Sequence, residues 1–225
     1  MALDVLQYGV NTNCMYNEET QKTQIYLHAS LFNINPFRLI DHYNSNNSSV
    51  KTAPTFIITS KPESTNDNYT DGSVIQLYQS KYWSHHLFLK EAHIIQGVSS
   101  INLLNKNSIS IEINNWGPLI DTEHGFVSRT GIGVSDSEVY EFSTLYRGYK
   151  YYHKYTELQI ENLKLLLQLL GLKWNIDTQF KGPNIFNIDR RALMNQNGVY
   201  CHNSVRPDIH DISPQTTLIE MLKTI

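Results

Sequence analysis

The stretch NSISIEINNWG, residues 107–117, admits few conformations. Ile109, Ile111 and Ile113 alternate with Ser108, Ser110, Glu112 and Asn114, and that period of two specifies a strand with one apolar and one polar face. A turn-like Asn105-Lys106-Asn107 precedes it and Asn114-Asn115-Trp116-Gly117 follows, which places the polar face where it can line a cleft. A Glu on such a face is ordinarily solvated, and periodicity alone does not distinguish that fate for Glu112 from a role in chemistry. The second strong signal is YTELQIENLKLLLQLLG. Thr156 and Gln159 form a capping box, Leu163, Leu166, Leu167 and Leu170 make one apolar face, and Gly171 stands where a C-terminal cap is expected. This helix reads as core scaffold.

Other elements are shorter. QIYLHAS, from Gln24, alternates like a half-buried strand and delivers His28 at its end. Asn35 caps and Pro36 starts a helix with Phe37, Ile40 and Tyr43 on one face. TAPTFIITS and SVIQLYQ read as strands joined through KPESTNDNYTDG, with Asp71-Gly72 as the hairpin signal. Residues 88–106 fit helix or strand. Residues 118–152 read as loop-rich with scattered Gly, apart from a short ordered piece within 136–143. Val199 to Cys201 is an apolar run ending in His202, and Ser213-Pro214 reads as an N-cap with Pro at the first helical position. Residues 1–23 are polar and unpatterned, an arm or an added edge strand, and 24–225 reads as a single globular domain.

Composition narrows the function classes. A chain of 225 residues, 40% hydrophobic, can bury a substantial single core. Its net charge of −3 and pI near 6.3, with no basic stripe, argue against a nucleic-acid partner. No segment reads as a membrane span or a signal peptide, which leads us to expect cytoplasmic synthesis without Sec export. Only Cys14 and Cys201 are present, so neither a disulfide framework nor a Cys-based metal site is supported. Cys201 directly precedes His202 and on a strand points the other way, which favours a packed small hydrophobe.

His202 and Asp211, nine residues apart on two sides of one loop, form a plausible pair of zinc ligands. Alone, the pair is also what a solvated loop or a helix cap displays, and His28 alone is also what a backbone-bonded strand end displays. Together the three would give the arrangement of a catalytic zinc, three protein ligands with one open position. A His-His-Asp set suits zinc better than magnesium or calcium, which prefer all-oxygen sites.

In this order, the strand-end His28 and His202, the late Asp211, SISIEINNWG, YTELQIENLKLLLQLL and DISPQTTLIEML resemble the type 2 N-acetylmuramoyl-L-alanine amidases, the superfamily of phage amidases and peptidoglycan recognition proteins. The resemblance runs from about Gln24 to the C-terminus. It implies an α/β fold with a central mixed β-sheet flanked by helices. It also implies zinc held by His28, His202 and Asp211, Glu112 as the catalytic acid/base, and hydrolysis of the amide between N-acetylmuramic acid and L-alanine in peptidoglycan, as in an endolysin released during phage lysis. In KYWSHHL it matches Trp83 and His86 to the rim of a substrate groove. From this chain's own residues we expect His86 to assist catalysis across that groove, with Asn114 on the polar face of its strand and Ile209 and His210 beside Asp211 as substrate contacts. A monomer or weak oligomer is expected.

The chain departs from the family pattern in two places. Pro54 stands where a bulky residue, often Tyr, is common, and Ile209 where hydrolytic members commonly carry Lys. The second departure keeps open a module that binds muropeptides without cutting them. A structural component of a phage tail with the same fold is a separate alternative.

Overall fold

The computed structural model describes residues 3–31, 35–46, 48–62, 64–89 and 101–225. Its centre is a mixed six-stranded sheet built from β1 (Val5–Gln7), β2 (Gln24–Ala29), β3 (Phe56–Ile58), β4 (Val74–Gln76), β5 (Ser108–Ile113) and β11 (Gly198–Cys201), in the order β1-β4-β3-β5-β2-β11. The β3–β4 pair is antiparallel and closes through the turn at Asp71-Gly72, where Gly72 takes φ +75°. All other pairings in this sheet are parallel.

Both faces of the sheet are covered, which is the usual condition for parallel strands. The helices among the described residues are α1 (Pro36–Ser45), α2 (Ile101–Lys106), α3 (Glu157–Trp174), α4 (Arg190–Leu193) and α5 (Thr216–Leu222). Leu163, Leu166, Leu167 and Leu170 of α3 share one core with Ile109, Ile111 and Ile113, while Leu39 and Ile40 of α1 pack with Ile57 and Ile75 in a second. Coverage on both sides is why β2 is buried along its whole length rather than on alternate residues. The polar side of β5 is buried too, and Ser110 joins a hydroxyl network with Thr55, Tyr78 and Ser84. Among the described residues no helix is long and apolar enough to cross a membrane.

Three boundaries differ from the sequence reading. Residues 118–152 are not loop-rich: β6 (Pro118–Thr122), β7 (Gly125–Ser128), β8 (Gly133–Val134), β9 (Val139–Tyr146) and β10 (Tyr149–His153) form a second, antiparallel sheet in the order β8-β7-β6-β10-β9. These strands are thinly buried, so their sequence lacks apolar alternation, and the glycines mark tight turns between them. Gly171 lies inside α3, which ends instead on Asn175 at φ +53°. A Cβ at Gly171 would lie 2.6 Å from Thr178 Cγ2, so the glycine permits a close approach rather than a cap. Helix α5 begins at Thr216, after Gln215, because Ser213 is committed to a buried cluster with Tyr155 and Gln215. Part of the 88–106 segment lies outside the described residues, and its end is α2.

The arm before β2 is fastened by Tyr16, whose ring stacks on Trp83 at 4.0 Å, and by Lys22. Lys22 is 1% exposed and its Nζ donates to the Lys106 carbonyl at 2.7 Å. Burial pushes its ammonium down to about 7, against the opposing charge of Glu18. Between that value and about 10.4, the ordinary lysine value, the unfolded chain holds more protons than the folded one, so stability rises with pH across this window. Urea midpoints from pH 6.5 to 9.5 are expected to climb for the wild type relative to Lys22→Met. Parallel pH curves for the two proteins would show that the amine stays charged when folded.

Candidate metal centre and catalytic carboxylate

Open sheets with parallel strands place ligands beyond the carboxyl ends of their strands. β5, β2 and β11 are adjacent, and their carboxyl ends deliver Glu112, His28 and His202 side by side: His28 pairs with Glu112 in register, and His202 follows Cys201, the partner of Leu27. Asp211 reaches the same point from the connection to α5. Its Oδ1 accepts the Ala29 backbone N–H, which fixes the carboxylate beside His28. The four side chains are 5–8% exposed.

The donor set converges tightly. His28 Nδ1 lies 3.0 Å from His202 Nδ1, His202 Nδ1 lies 2.7 Å from Asp211 Oδ2, and His28 Nδ1 lies 3.6 Å from the same oxygen. Tetrahedral zinc with bonds of about 2.0–2.1 Å separates its donors by roughly 3.3 Å, and these distances bracket that value.

The surrounding hydrogen bonds assign the tautomers. Ser108 Oγ donates to the Leu104 carbonyl, so it accepts from His86 Nε2–H at 2.8 Å. That leaves His86 Nδ1 as an acceptor, 3.0 Å from His28 Nε2, and puts the proton of His28 on Nε2. The His202 Nε2–H donates to the Leu87 carbonyl at 2.9 Å. Both Nδ1 lone pairs therefore face each other and the Asp211 carboxylate. Burial, and then the neighbouring His202, lowers His28 to about 4, and burial likewise drives His86 well below its ordinary value, so both rings are neutral near pH 7. Three acceptors meeting in a dry site need a cation between them, a proton or a metal ion. Among the described residues, these three form the one group of His, Cys, Asp and Glu with the geometry to hold a metal.

Glu112 stands beside this group. Its Oε2 accepts from the Tyr43 hydroxyl at 3.2 Å. Burial, followed by the charge of Asp211, pushes its carboxyl up to about 8 against the Tyr43 hydrogen bond, so it can gain or release a proton near neutrality.

Several expectations need correction. His86 is not at a groove rim: it is 6% exposed, behind His28, and spends both ring nitrogens on His28 and Ser108, so it cannot reach across a cleft. Trp83 is likewise not a rim residue. It is 4% exposed, stacks on Tyr16 and donates Nε1–H to Glu18, so it fastens the N-terminal arm. Asn114 is fully buried, its backbone bonded to Ile58 and to Gln159 of α3, and presents nothing to a substrate. Ile209 and His210 are half-buried on the Asp211 loop, with the Ile209 carbonyl held by Arg147 and the His210 ring edge-on to Tyr149. A cavity of about 650 Å³ lies elsewhere, lined by Trp116, His153, Thr156 and neighbours and by none of His28, Glu112, His202 or Asp211.

Two contributors were missed. Tyr43 read only as a packing residue of α1, and Ser108 only as part of a polar strand face. Nothing local marks them, since Tyr43 meets Glu112 across 69 residues of chain.

No family model and no curated protein matches the sequence. Among solved structures the chain is similar to "Mutant endolysin from Bacillus subtilis", at 12% identity, TM-score 0.50, covering 99% of this chain and 97% of that one. It is also similar to "Structure of PlyL", at 13% identity and TM-score 0.46 over 91% of this chain and 84% of that one. A third is the N-acetylmuramyl-L-alanine amidase AmiD from E. coli in complex with an anhydro-N-acetylmuramic acid peptide, at 16% identity and TM-score 0.41 over 70% of this chain and 46% of that one. The endolysin likeness is one of fold: a mixed sheet flanked by helices.

His86→Ala leaves the buried His28 Nε2–H without an acceptor, and is expected to cost about 1–3 kcal/mol of stability in metal-free protein. His210→Ala, half-buried on a loop, should stay within about 0.5 kcal/mol of wild type. Urea denaturation of both variants checks the contrast, and equal losses would contradict the relay from His28 through His86 to Ser108.

Proposed function

We propose that this protein is a zinc-dependent hydrolase of the amide bond between N-acetylmuramic acid and L-alanine in peptidoglycan, acting as an endolysin. The observation that carries the reading is the meeting of the His28 Nδ1, His202 Nδ1 and Asp211 Oδ2 acceptors beside a buried Glu112 carboxylate, at the ends of adjacent strands. Support comes also from the ordered sequence motifs and from the fold shared with a protein named as an endolysin.

The donor chemistry fits zinc: two neutral imidazoles and one carboxylate, each oriented by a second hydrogen bond, with three protein ligands leaving a position open. When bound, zinc supplies Lewis acidity toward a water and toward the scissile carbonyl. The chain's own residues do the rest. Glu112 takes the proton of the attacking water as its oxygen bonds to the carbonyl carbon, and returns a proton to the nitrogen as the C–N bond breaks, freeing the L-alanine amine. Tyr43 orients that carboxylate through its hydroxyl. His86 and the Leu87 carbonyl hold the two imidazoles in the tautomers that turn Nδ1 inward.

Zinc-loaded protein is expected to release new amino termini, and no new reducing sugar, from peptidoglycan. Chelation should abolish the release and zinc restore it, while His28→Ala, His202→Ala and Asp211→Ala each lose metal. Undiminished cleavage by metal-free protein would sink the reading, and tight muropeptide binding without cleavage would move it to a recognition module.

Glu112→Gln should keep the metal and lower turnover by about 10²- to 10⁴-fold, the range of a lost general base. Tyr43→Phe, which only frees the carboxylate, should lower turnover by less. Steady-state kinetics beside metal analysis decides this, and near-wild-type turnover of Glu112→Gln would leave Glu112 a structural group.

A further inference from the structure

The segment from Pro207 to Asp211 belongs to neither sheet nor helix, yet it must present the Asp211 carboxylate to two imidazoles, 2.7 Å from His202 Nδ1 and 3.6 Å from His28 Nδ1. Its footing comes from the second sheet. Arg147, in the turn between β9 and β10, donates from Nη1 to the carbonyls of Pro207 at 2.6 Å and Ile209 at 2.9 Å, and from Nη2 to the carbonyl of Phe186 at 3.2 Å. Its Nε donates to the Tyr146 hydroxyl at 3.2 Å, and that hydroxyl in turn donates to the carbonyls of Phe186 and Ile212. Asn203, beside His202, closes the ring: Nδ2 donates to the Tyr146 oxygen, and Oδ1 accepts the Ile212 N–H at 3.1 Å. The Tyr149 ring meets His210 edge-on from the same turn.

Two features set this apart from an ordinary surface contact. Arg147 takes a left-handed backbone, φ +48°, which a side-chain-bearing residue adopts at some cost, and the following Gly148 is at φ +87°. Positive φ at both residues is what a two-residue turn joining β9 to β10 requires, and that turn carries the guanidinium to the loop. The guanidinium also spends its rigid fork on three carbonyls from two segments, an arrangement that a lysine ammonium on a flexible stem does not reproduce.

We infer that Arg147 is a positioning residue for the metal centre, and that the second sheet serves the site as a brace, holding through Tyr146 and Arg147 the loop that carries Asp211. This inference rests on the zinc reading above. Outer groups that orient a ligand typically change metal affinity by about 10- to 100-fold when removed, even without touching the ion. Arg147 acts one step further out, on the backbone flanking the ligand, and the same lever applies because that backbone and the Ala29 N–H set where the Asp211 carboxylate meets the two imidazoles.

The test measures zinc dissociation constants by competition with a chromophoric chelator, together with the visible spectrum of the cobalt-substituted protein and thermal unfolding of the metal-free form. Arg147→Ala is expected to weaken zinc about 10-fold or more and to alter the cobalt spectrum. Arg147→Lys should fall between the two proteins, and it carries the test if Arg147→Ala does not fold. Lys150→Ala, on the same hairpin but engaged among the described residues with exposed Glu141 and its own strand neighbour Tyr151, should bind zinc as the wild type does. A merely structural Arg147 would lower the unfolding midpoint while leaving affinity and cobalt spectrum unchanged, and that result overturns the inference alone. A wild type that binds no zinc overturns the metal reading and this inference with it.

Discussion

Two imidazole lone pairs and a carboxylate, turned toward one another in a site almost closed to water, are the constraint on which the rest of the structure depends. Each group would be better solvated apart, and burying them together is tolerable only if a cation joins them and every remaining polar atom is satisfied. The fold meets the second condition in full. His28 is backed by His86 and Ser108, His202 by the Leu87 carbonyl, and Asp211 by the Ala29 N–H. Each of these bonds removes an alternative tautomer or rotamer, so the protein's own hydrogen bonds hold the three donors in an arrangement that could take a metal ion.

That preorganisation begins with strand order. His28 and Glu112 face each other because β2 and β5 are parallel and in register, and His202 joins them because β11 lies on the other edge of β2. A slip of one residue in either pairing would turn a member of the set to the opposite face. The register is held by the apolar side of the same strands, where Ile109, Ile111 and Ile113 pack with the leucines of α3. The helix that supplies none of the four site residues thus fixes the register that brings them together.

The remaining donor, Asp211, comes from an irregular loop, which cannot borrow precision from a sheet. Its carbonyls are instead held by Arg147 and Tyr146 from the second sheet, and its far end by Asn203. The thin burial of that sheet suits this use: a hairpin that presents one turn to a loop needs little core of its own.

How much of this was legible in the sequence follows from range. Alternation in SISIEI, the capping box at Thr156 and the cap at Asn35 are local, and they determined β5 and the starts of α3 and α1. The ordered motifs determined the class of fold and named His28, His202, Asp211 and Glu112, which the fold brings to one point. The second sheet was not legible, because strands that bury little carry little periodic signal. The places of His86 and Trp83 were not legible either: KYWSHHL reads as a loop at a groove rim, and only the packing of Tyr16 and the alignment of β5 behind it decide that both rings face inward. Tyr43 reaches Glu112, and Arg147 reaches the Asp211 loop, across tens of residues of chain. Sequence patterns fix which face of an element is apolar, because that depends on neighbours a few positions away. Which polar side chain completes a buried network depends on partners that only the tertiary fold brings into contact.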